Sequence, residues 1–312
     1  MRLLRLATAL LAACVALVAP TGAADLVPLN VVVIPTDSAA QAFYALDMGF
    51  FRDAGFDAHV SAMNGSPAII TATVSGAMDV GNSTVGSMAQ ARARGIGARF
   101  IAPAGLWIST SPTAKLVVAR DAALHAPADF TGKTIAVTGL ADLTYYAARA
   151  WLDQNGVNSA GVKFIEIPMP EMVAALTDHR VDGAVLIEPF VAAAGDDVRA
   201  VAAVDDNVAK RFLATGWEAS DAWLQAHPDL AARFAAVMKR TADWANTHRK
   251  ESAEILLRHT KITPEVAARM VRATYGTTLD PALIQPVIDN ASHYATFPSP
   301  ITAADLIWNA PK

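Results

Sequence analysis

Cysteine occurs once in the 312 residues, as Cys14, and that scarcity removes several kinds of chemistry. If the apolar run around Cys14 is cut away, no disulfide, thiolate zinc site or cysteine nucleophile can form. Positive charge is also short, with 25 Lys and Arg against 29 Asp and Glu and a net charge of −4. A mildly acidic chain without a basic stripe is a poor partner for nucleic acid. After the first 24 residues, no stretch approaches the roughly 20 apolar residues of a membrane-spanning helix. Catalytic signatures are missing as well: no GxSxG elbow, no P-loop, no HExxH, and no complete GxGxxG after a strand. The seven histidines are scattered, with no pair at ligand spacing. Asp37, Asp142 and Glu188 could in principle supply an acid–base pair, but caps or ligand contacts are their simpler roles. The expectation is a protein with no catalytic residues, no metal and no cofactor.

What is there begins with an export signal. Arg2 and Arg5 precede an apolar segment, Leu6 to Val18, and the small, turn-prone Pro20-Thr21-Gly22-Ala23-Ala24. This is the pattern of a secretory signal peptide, with cleavage predicted after Ala23 or Ala24. Leu11-Ala12-Ala13-Cys14 also reads as a lipobox, which would make Cys14 a lipidated N-terminus. The apolar run continues past it through Val18 to a small-residue cleavage site, which favours ordinary cleavage. Loss of Arg2 and Arg5 takes the net charge to −6. About 288 residues remain, enough for two domains.

The body alternates short β-branched runs with longer helical patterns, the mark of parallel α/β architecture. Strands are predicted at Val31–Ile34, Phe56–Met63, Asp79–Gly81, Phe100–Ala104, Lys115–Ala119, Thr134–Thr138, Lys163–Ile167 and Gly183–Ile187. A helix over Ala39–Phe51 would start from a capping box of Ser38 and Gln41. A second would use Ser66 as N-cap and Pro67 at its first position. Helices also fit Val85–Arg94, Thr144–Asn155 and Glu171–His179, and beyond Ser220 the pattern is mostly helical.

In open parallel sheets, ligands bind beyond the carboxyl ends of the strands. The residues following the predicted strands are Thr36-Asp37-Ser38, Asn64-Gly65-Ser66, a polar loop Asn82-Ser83-Thr84, Gly105-Leu106-Trp107, Thr138 to Tyr145, and Glu188-Pro189-Phe190. Any one of these can be explained as helix capping. Together, with Trp107 and Tyr145 among them, they predict a polar cleft with aromatic walls.

A set of motifs spread over most of the chain carries a resemblance. They are Ala45-Leu46-Asp47-Met48-Gly49-Phe50-Phe51, Gly55-Phe56-Asp57, Gly76-Ala77-Met78-Asp79-Val80-Gly81, Phe130 to Val137, and Asp182-Gly183-Ala184 with Glu188-Pro189. In order and spacing they resemble the nitrate/sulfonate/taurine group of ABC-importer binding proteins and the thiamine-pyrimidine binding proteins that share their fold. The resemblance implies an α/β, two-lobed type II periplasmic-binding-protein fold with two hinge crossovers and a helical C-terminal segment. It places the lobes at 25–117 with 215–312 and at 118–214, and the crossovers near Lys115–Arg120 and Phe212–Gly216. Ligand contacts are implied at Asp37, Ser38, Ser66, Asn82, Ser83, Thr84, Trp107, Thr138, Asp142, Tyr145 and Glu188. The implied partners are a small-molecule ligand and an inner-membrane ABC permease, for a monomer in the periplasm.

These loops offer no Lys, Arg or His, while Asp37, Asp142 and Glu188 lie among them, so the ligand is expected to be neutral or cationic. A nitrogen-containing, pyrimidine-like ring stacked on Trp107 or Tyr145 and anchored by Glu188 suits that charge. A small sulfonate or nitrate is the other reading, since helix N-termini favour anions. A periplasmic sensor would look the same in sequence. A pyrimidine-synthesising enzyme relative is disfavoured by the lack of cysteines.

Overall fold

The computed structural model describes residues 26–295 and 297–310 and arranges their strands in three sheets. The leader segment and Cys14 lie outside the described residues. In chain order the strands are β1 (Val27–Val33), β2 (Phe56–Ala62), β3 (Val80–Thr84), β4 (Ala98–Pro103), β5 (Gly105–Ile108), β6 (Ala114–Ala119) and β7 (Thr134–Val137). Then follow β8 (Lys163–Glu166), β9 (Gly183–Ile187), β10 (Val198–Ala202), β11 (Arg211–Leu213), β12 (Thr215–Ser220) and β13 (Thr274–Tyr275).

The first sheet runs β2-β1-β3-β12-β4, with β1, β2 and β3 parallel and β12 antiparallel to both its neighbours. The second runs β8-β7-β9-β6-β10 and repeats that pattern, with β6 as its antiparallel member. Each sheet is the centre of one lobe. Parallel strands covered on both faces read as unbroken apolar runs. Val31–Val33, Ile135–Val137 and Ala184–Leu186 are such runs, and all are buried.

The third sheet is the hinge. β5 and β11 pair antiparallel, Trp107 opposite Phe212, and β13 lies along the other side of β5. After β5 the chain passes through 109–113 into β6 of the second lobe, and after β11 it returns through Ala214 to β12 of the first. Lys115–Arg120, expected as the first crossover, is therefore almost entirely a strand of the second sheet. The passage comes earlier because Gly105–Ile108 is itself a hinge strand, which moves the lobe boundary ahead of residue 117. Phe212–Gly216 spans the second passage.

Local expectations changed where side chains had other work. The capping box at Ser38 and Gln41 does not form. Gln41 is buried, its Oε1 accepting from Trp217 Nε1 at 3.0 Å and its Nε2 donating to the Met238 carbonyl at 3.4 Å. The helix expected over Ala39–Phe51 is split into Gln41–Asp47 and Phe50–Asp53 by Gly49, whose φ of 72° breaks the helical path. Ser66 does not cap its helix; Gly65 takes that position, and Ser66 Oγ instead accepts the Thr84 backbone N–H at 3.0 Å. Asn82-Ser83-Thr84 is the end of β3 rather than a loop, because it pairs with Thr215–Trp217 of β12.

Beyond Ser220 the chain is mostly helical. The helix Pro228–Thr247 buries Phe234, Val237 and Met238 against the first lobe. The helix Pro281–Tyr294 lies behind the hinge, packed on β11 and on a helix from each lobe, Val85–Ala93 and Leu143–Gln154. Its Ile284, Val287 and Ile288 enter a core shared by both lobes. Among the described residues, no helix is long and apolar enough to cross a membrane.

Candidate functional site

The strand ends of both sheets face one another across the hinge and enclose a cavity of about 60 Å³. The first lobe lines it with Thr36, Ser38, Asn64, Gly65 and Thr84, the second with Thr138, Asp142, Thr144, Ile187 and Phe190, and the hinge region with Gly105, Trp107, Asp205 and Thr215. Backbone approach is close here. A Cβ on Gly105 would stand 2.5 Å from the Cβ of Ser38, so the hinge strand and the loop after β1 fit together only around glycine.

Trp107 is at once wall and core. It lines the cavity but is only 1% exposed, and it stacks on Phe212 with ring centroids 6.2 Å apart. Its Nε1 donates to Asp206 Oδ1 at 3.0 Å, and Asp206 Oδ2 also accepts from Ser109 Oγ at 2.8 Å and Lys210 Nζ at 3.0 Å. The indole is thereby fixed before any solute arrives.

Two buried carboxyl groups share the cavity. Asp142 caps the helix Leu143–Gln154 through the Leu143 N–H at 2.7 Å and accepts Thr138 Oγ1 at 3.0 Å and Thr84 Oγ1 at 2.6 Å. Burial pushes its pKa up, and these three bonds oppose the shift. Asp205, from the turn Val204–Asn207, is less well served: its Oδ1 has no hydrogen-bond partner. Burial, then the neighbouring Asp206 and Asp142 charges, push Asp205 up to about 7.

Contacts between the lobes flank the cavity. On one side, besides the Thr84–Asp142 bond, Ser87 Oγ donates to the Ala141 carbonyl at 2.7 Å and Gln90 Nε2 to Tyr146 Oη at 3.2 Å. On the other, the Asp37 N–H donates to the Glu188 carbonyl at 3.1 Å, and Glu188 Oε1 accepts the Val271 N–H at 3.1 Å.

A family model described as NMT1/THI5 like matches residues 37–252, well over half of the chain. The chain belongs to the NMT1/THI5-like family. It is similar in structure to the alkanesulfonate-binding protein SsuA from Xanthomonas axonopodis pv. citri bound to MOPS, with a TM-score of 0.76 and 15% identity over 92% of this chain and 99% of that one. It is also similar to a zinc-bound ligand-binding component of an ABC-type import system from Staphylococcus aureus, with a TM-score of 0.79 and 17% identity over 90% and 96%. The Candida albicans CA3427 gene product, described as having the generic periplasmic binding protein structural fold, gives 0.74 and 14% over 91% and 97%. At such identities the likeness establishes the fold, the two-lobed periplasmic-binding-protein architecture. No curated protein matches the sequence.

Within this NMT1/THI5-like chain, Ser38, Thr84, Trp107, Thr138 and Asp142 meet at the cavity, as the loops after the strands suggested. Ser66 stands behind Thr84 and supports it, while its neighbours Asn64 and Gly65 are the ones that face inward. Asn82 and Ser83 are buried in β3 and do not line the cavity. Tyr145 points to the side, its hydroxyl accepting Arg149 Nη1 at 3.0 Å and its ring edge-on to Phe164. Asp37 is occupied by Arg272 Nε at 3.1 Å, Tyr44 Oη at 3.1 Å and the Ala273 N–H at 2.6 Å. Glu188 is occupied by the Ala192 N–H at 3.0 Å and by Val271. Neither of these two lines the cavity. Asp205 was overlooked, although the acidic pair Asp205-Asp206 just ahead of the second crossover is visible in the sequence.

Proposed function

We propose that this is an exported solute-binding protein that captures one small molecule between two closing lobes and delivers it, as a monomer in the periplasm, to the permease of an ABC importer. The cavity carries this reading, because its walls come from both lobes and from the hinge, so closing the lobes and enclosing a solute are one event. Fold neighbours named as binding components of import systems support it. A protein of this kind has no turnover, and the solute should leave it chemically unchanged.

The ligand is read as neutral or cationic and nitrogen-containing. Asp142 and Asp205 face the cavity, while no Lys, Arg or His is found among the described residues that line it. An anion such as the sulfonate named for the Xanthomonas neighbour would meet two buried carboxyl groups and no basic side chain here. A pyrimidine-like ring against Trp107 suits the wall, but size restrains it. The 60 Å³ cavity is smaller than the roughly 150 Å³ that takes benzene, so a ring requires the lobes slightly further apart.

Native mass spectrometry of protein purified from its own host tests the reading. A single co-purifying small molecule, released unchanged on denaturation, is the expected result. At 100 times its Kd, that molecule should add about 2.7 kcal/mol to the stability of stripped protein. Conversion of the molecule in excess of the protein, or protein that retains and rebinds no solute, would overturn it.

A further inference from the structure

The turn Val204–Asn207 sends two consecutive carboxyl groups to different places. Asp206 goes to Trp107, Ser109 and Lys210 and is saturated. Asp205, only 4% exposed, faces the cavity with Oδ1 unpartnered. A buried polar atom left without a partner is costly and rare in native proteins. Here it belongs to a residue that lines the space a solute would fill, close enough to a second carboxyl group, Asp142, to feel its charge. We propose that Asp205 selects a positively charged solute and that the bound cation takes the place of a proton on this carboxyl group.

The inference rests on the solute-capture reading above and specifies the charge of what is captured. The acidic groups acting on Asp205 are Asp206 in its own turn and Asp142 at the head of the helix Leu143–Gln154, and both disfavour its ionisation. The basic groups on the packed elements are engaged elsewhere. Lys210 holds Asp206, Arg149 bonds Tyr145 and Ser159, and Lys115 on β6 acts on Glu188. The protein thus supplies Asp205 with no cation of its own. Two species can quiet the charge: a proton from water or a positively charged solute. When the solute enters, the carboxyl O–H bond breaks, the proton leaves to solvent, and the carboxylate pairs with the cation. Asp205 sits near pH 7 in this balance, so each pH unit below that value should cost up to about tenfold in affinity, while above it affinity should level off. Asp142, held by three donors, shapes the other side of the pocket.

Calorimetric titration with methylammonium, guanidinium and benzamidinium, which stay charged from pH 5.5 to 8.5, tests this. Nitrate and methanesulfonate serve as anionic probes. At least one cation should bind wild-type protein, about tenfold more weakly at pH 5.5 than at 6.5. Heats compared across buffers should show up to one proton released per cation. Asp205→Asn should lose at least tenfold in cation affinity and lose the pH dependence, while the empty protein stays at least as stable as wild type at neutral pH. Affinity independent of pH, an Asp205→Asn variant that binds cations as wild type does, preference for an anion, or no binding by any cation would overturn the inference. An uncharged or anionic solute co-purifying from the host would sink it and leave solute capture standing. A protein that holds no solute at all would sink capture itself.

Discussion

Thr84 at the end of β3 and Asp142 at the head of a second-lobe helix are joined across the cleft by a 2.6 Å hydrogen bond. Thr84 Oγ1 also accepts the Ser87 N–H at 3.4 Å and so caps the helix Val85–Ala93. One hydroxyl therefore starts a helix and ties the lobes together.

Thr84→Val keeps the side-chain shape and removes both bonds. Loss of a cap and of a buried bond to a carboxyl group should lower stability by about 1–3 kcal/mol. Urea unfolding measures this, and solution scattering should show a more open average shape than wild type. An unchanged midpoint would mean that neither bond matters.

Glu188→Gln should harm the empty protein, contrary to what its position after β9 suggested. The carboxylate accepts two backbone N–H groups, from Ala192 and from Val271. An amide can accept at one oxygen only and turns its NH₂ toward the other donor. A loss of about 1–3 kcal/mol in apo stability is expected from chemical denaturation. A full loss of solute affinity with unaltered apo stability would restore Glu188 as a ligand anchor.

Trp107→Ala is expected to weaken the fold and the site together. The indole is buried, stacked on Phe212 and bonded to Asp206, so its removal should cost about 3–5 kcal/mol of stability. Trp107→Phe separates the effects, keeping most of the packing while freeing Asp206 from the indole. Denaturation curves of the two variants should therefore differ clearly, with Trp107→Phe the more stable.

Glu218, fully buried in β12, should make stability fall with pH. Burial pushes it up to about 8, with Thr73 as its hydrogen-bond partner. Between the unfolded value of about 4.3 and this one the native state keeps the proton and the unfolded state does not. Stability from this group is thus fully present at low pH and declines as pH rises through that window. Protonated Glu218 can donate to Thr73 Oγ1, which then donates to the Ile70 carbonyl at 3.0 Å, and a Gln amide can do the same. Glu218→Gln should flatten the pH dependence and exceed wild type at pH 8, by at most about 4–5 kcal/mol. Urea midpoints from pH 5 to 8 would show it, and parallel curves would refute it.

Central lobe strands such as those around Val31–Val33, Ile135–Val137 and Ala184–Leu186 were legible because they are buried on both faces and written in Val, Ile, Leu and Ala, whereas Val198–Ala202 and Thr215–Ser220 were not expected as strands. The hinge strands Gly105–Ile108 and Arg211–Leu213 were not, being three or four residues long and stabilised by pairing with each other. For the site, position after a strand pointed to Ser38, Thr84, Thr138 and Asp142, all of which line the cavity. It could not say where a side chain turns. Asp37 turns away to meet Arg272, a partner 235 residues along the chain that no local pattern announces. Asp205 escaped the rule altogether, since it enters from a turn ahead of the hinge and not from a loop beyond a parallel strand.

The cavity lining begins at Ile34, ends at Thr215, and changes lobes along the way. A solute held there fastens together stretches of chain that lie far apart in sequence. In a polypeptide with one cysteine, it acts as a removable cross-link. Resistance to unfolding then becomes a gauge of how much solute surrounds the protein.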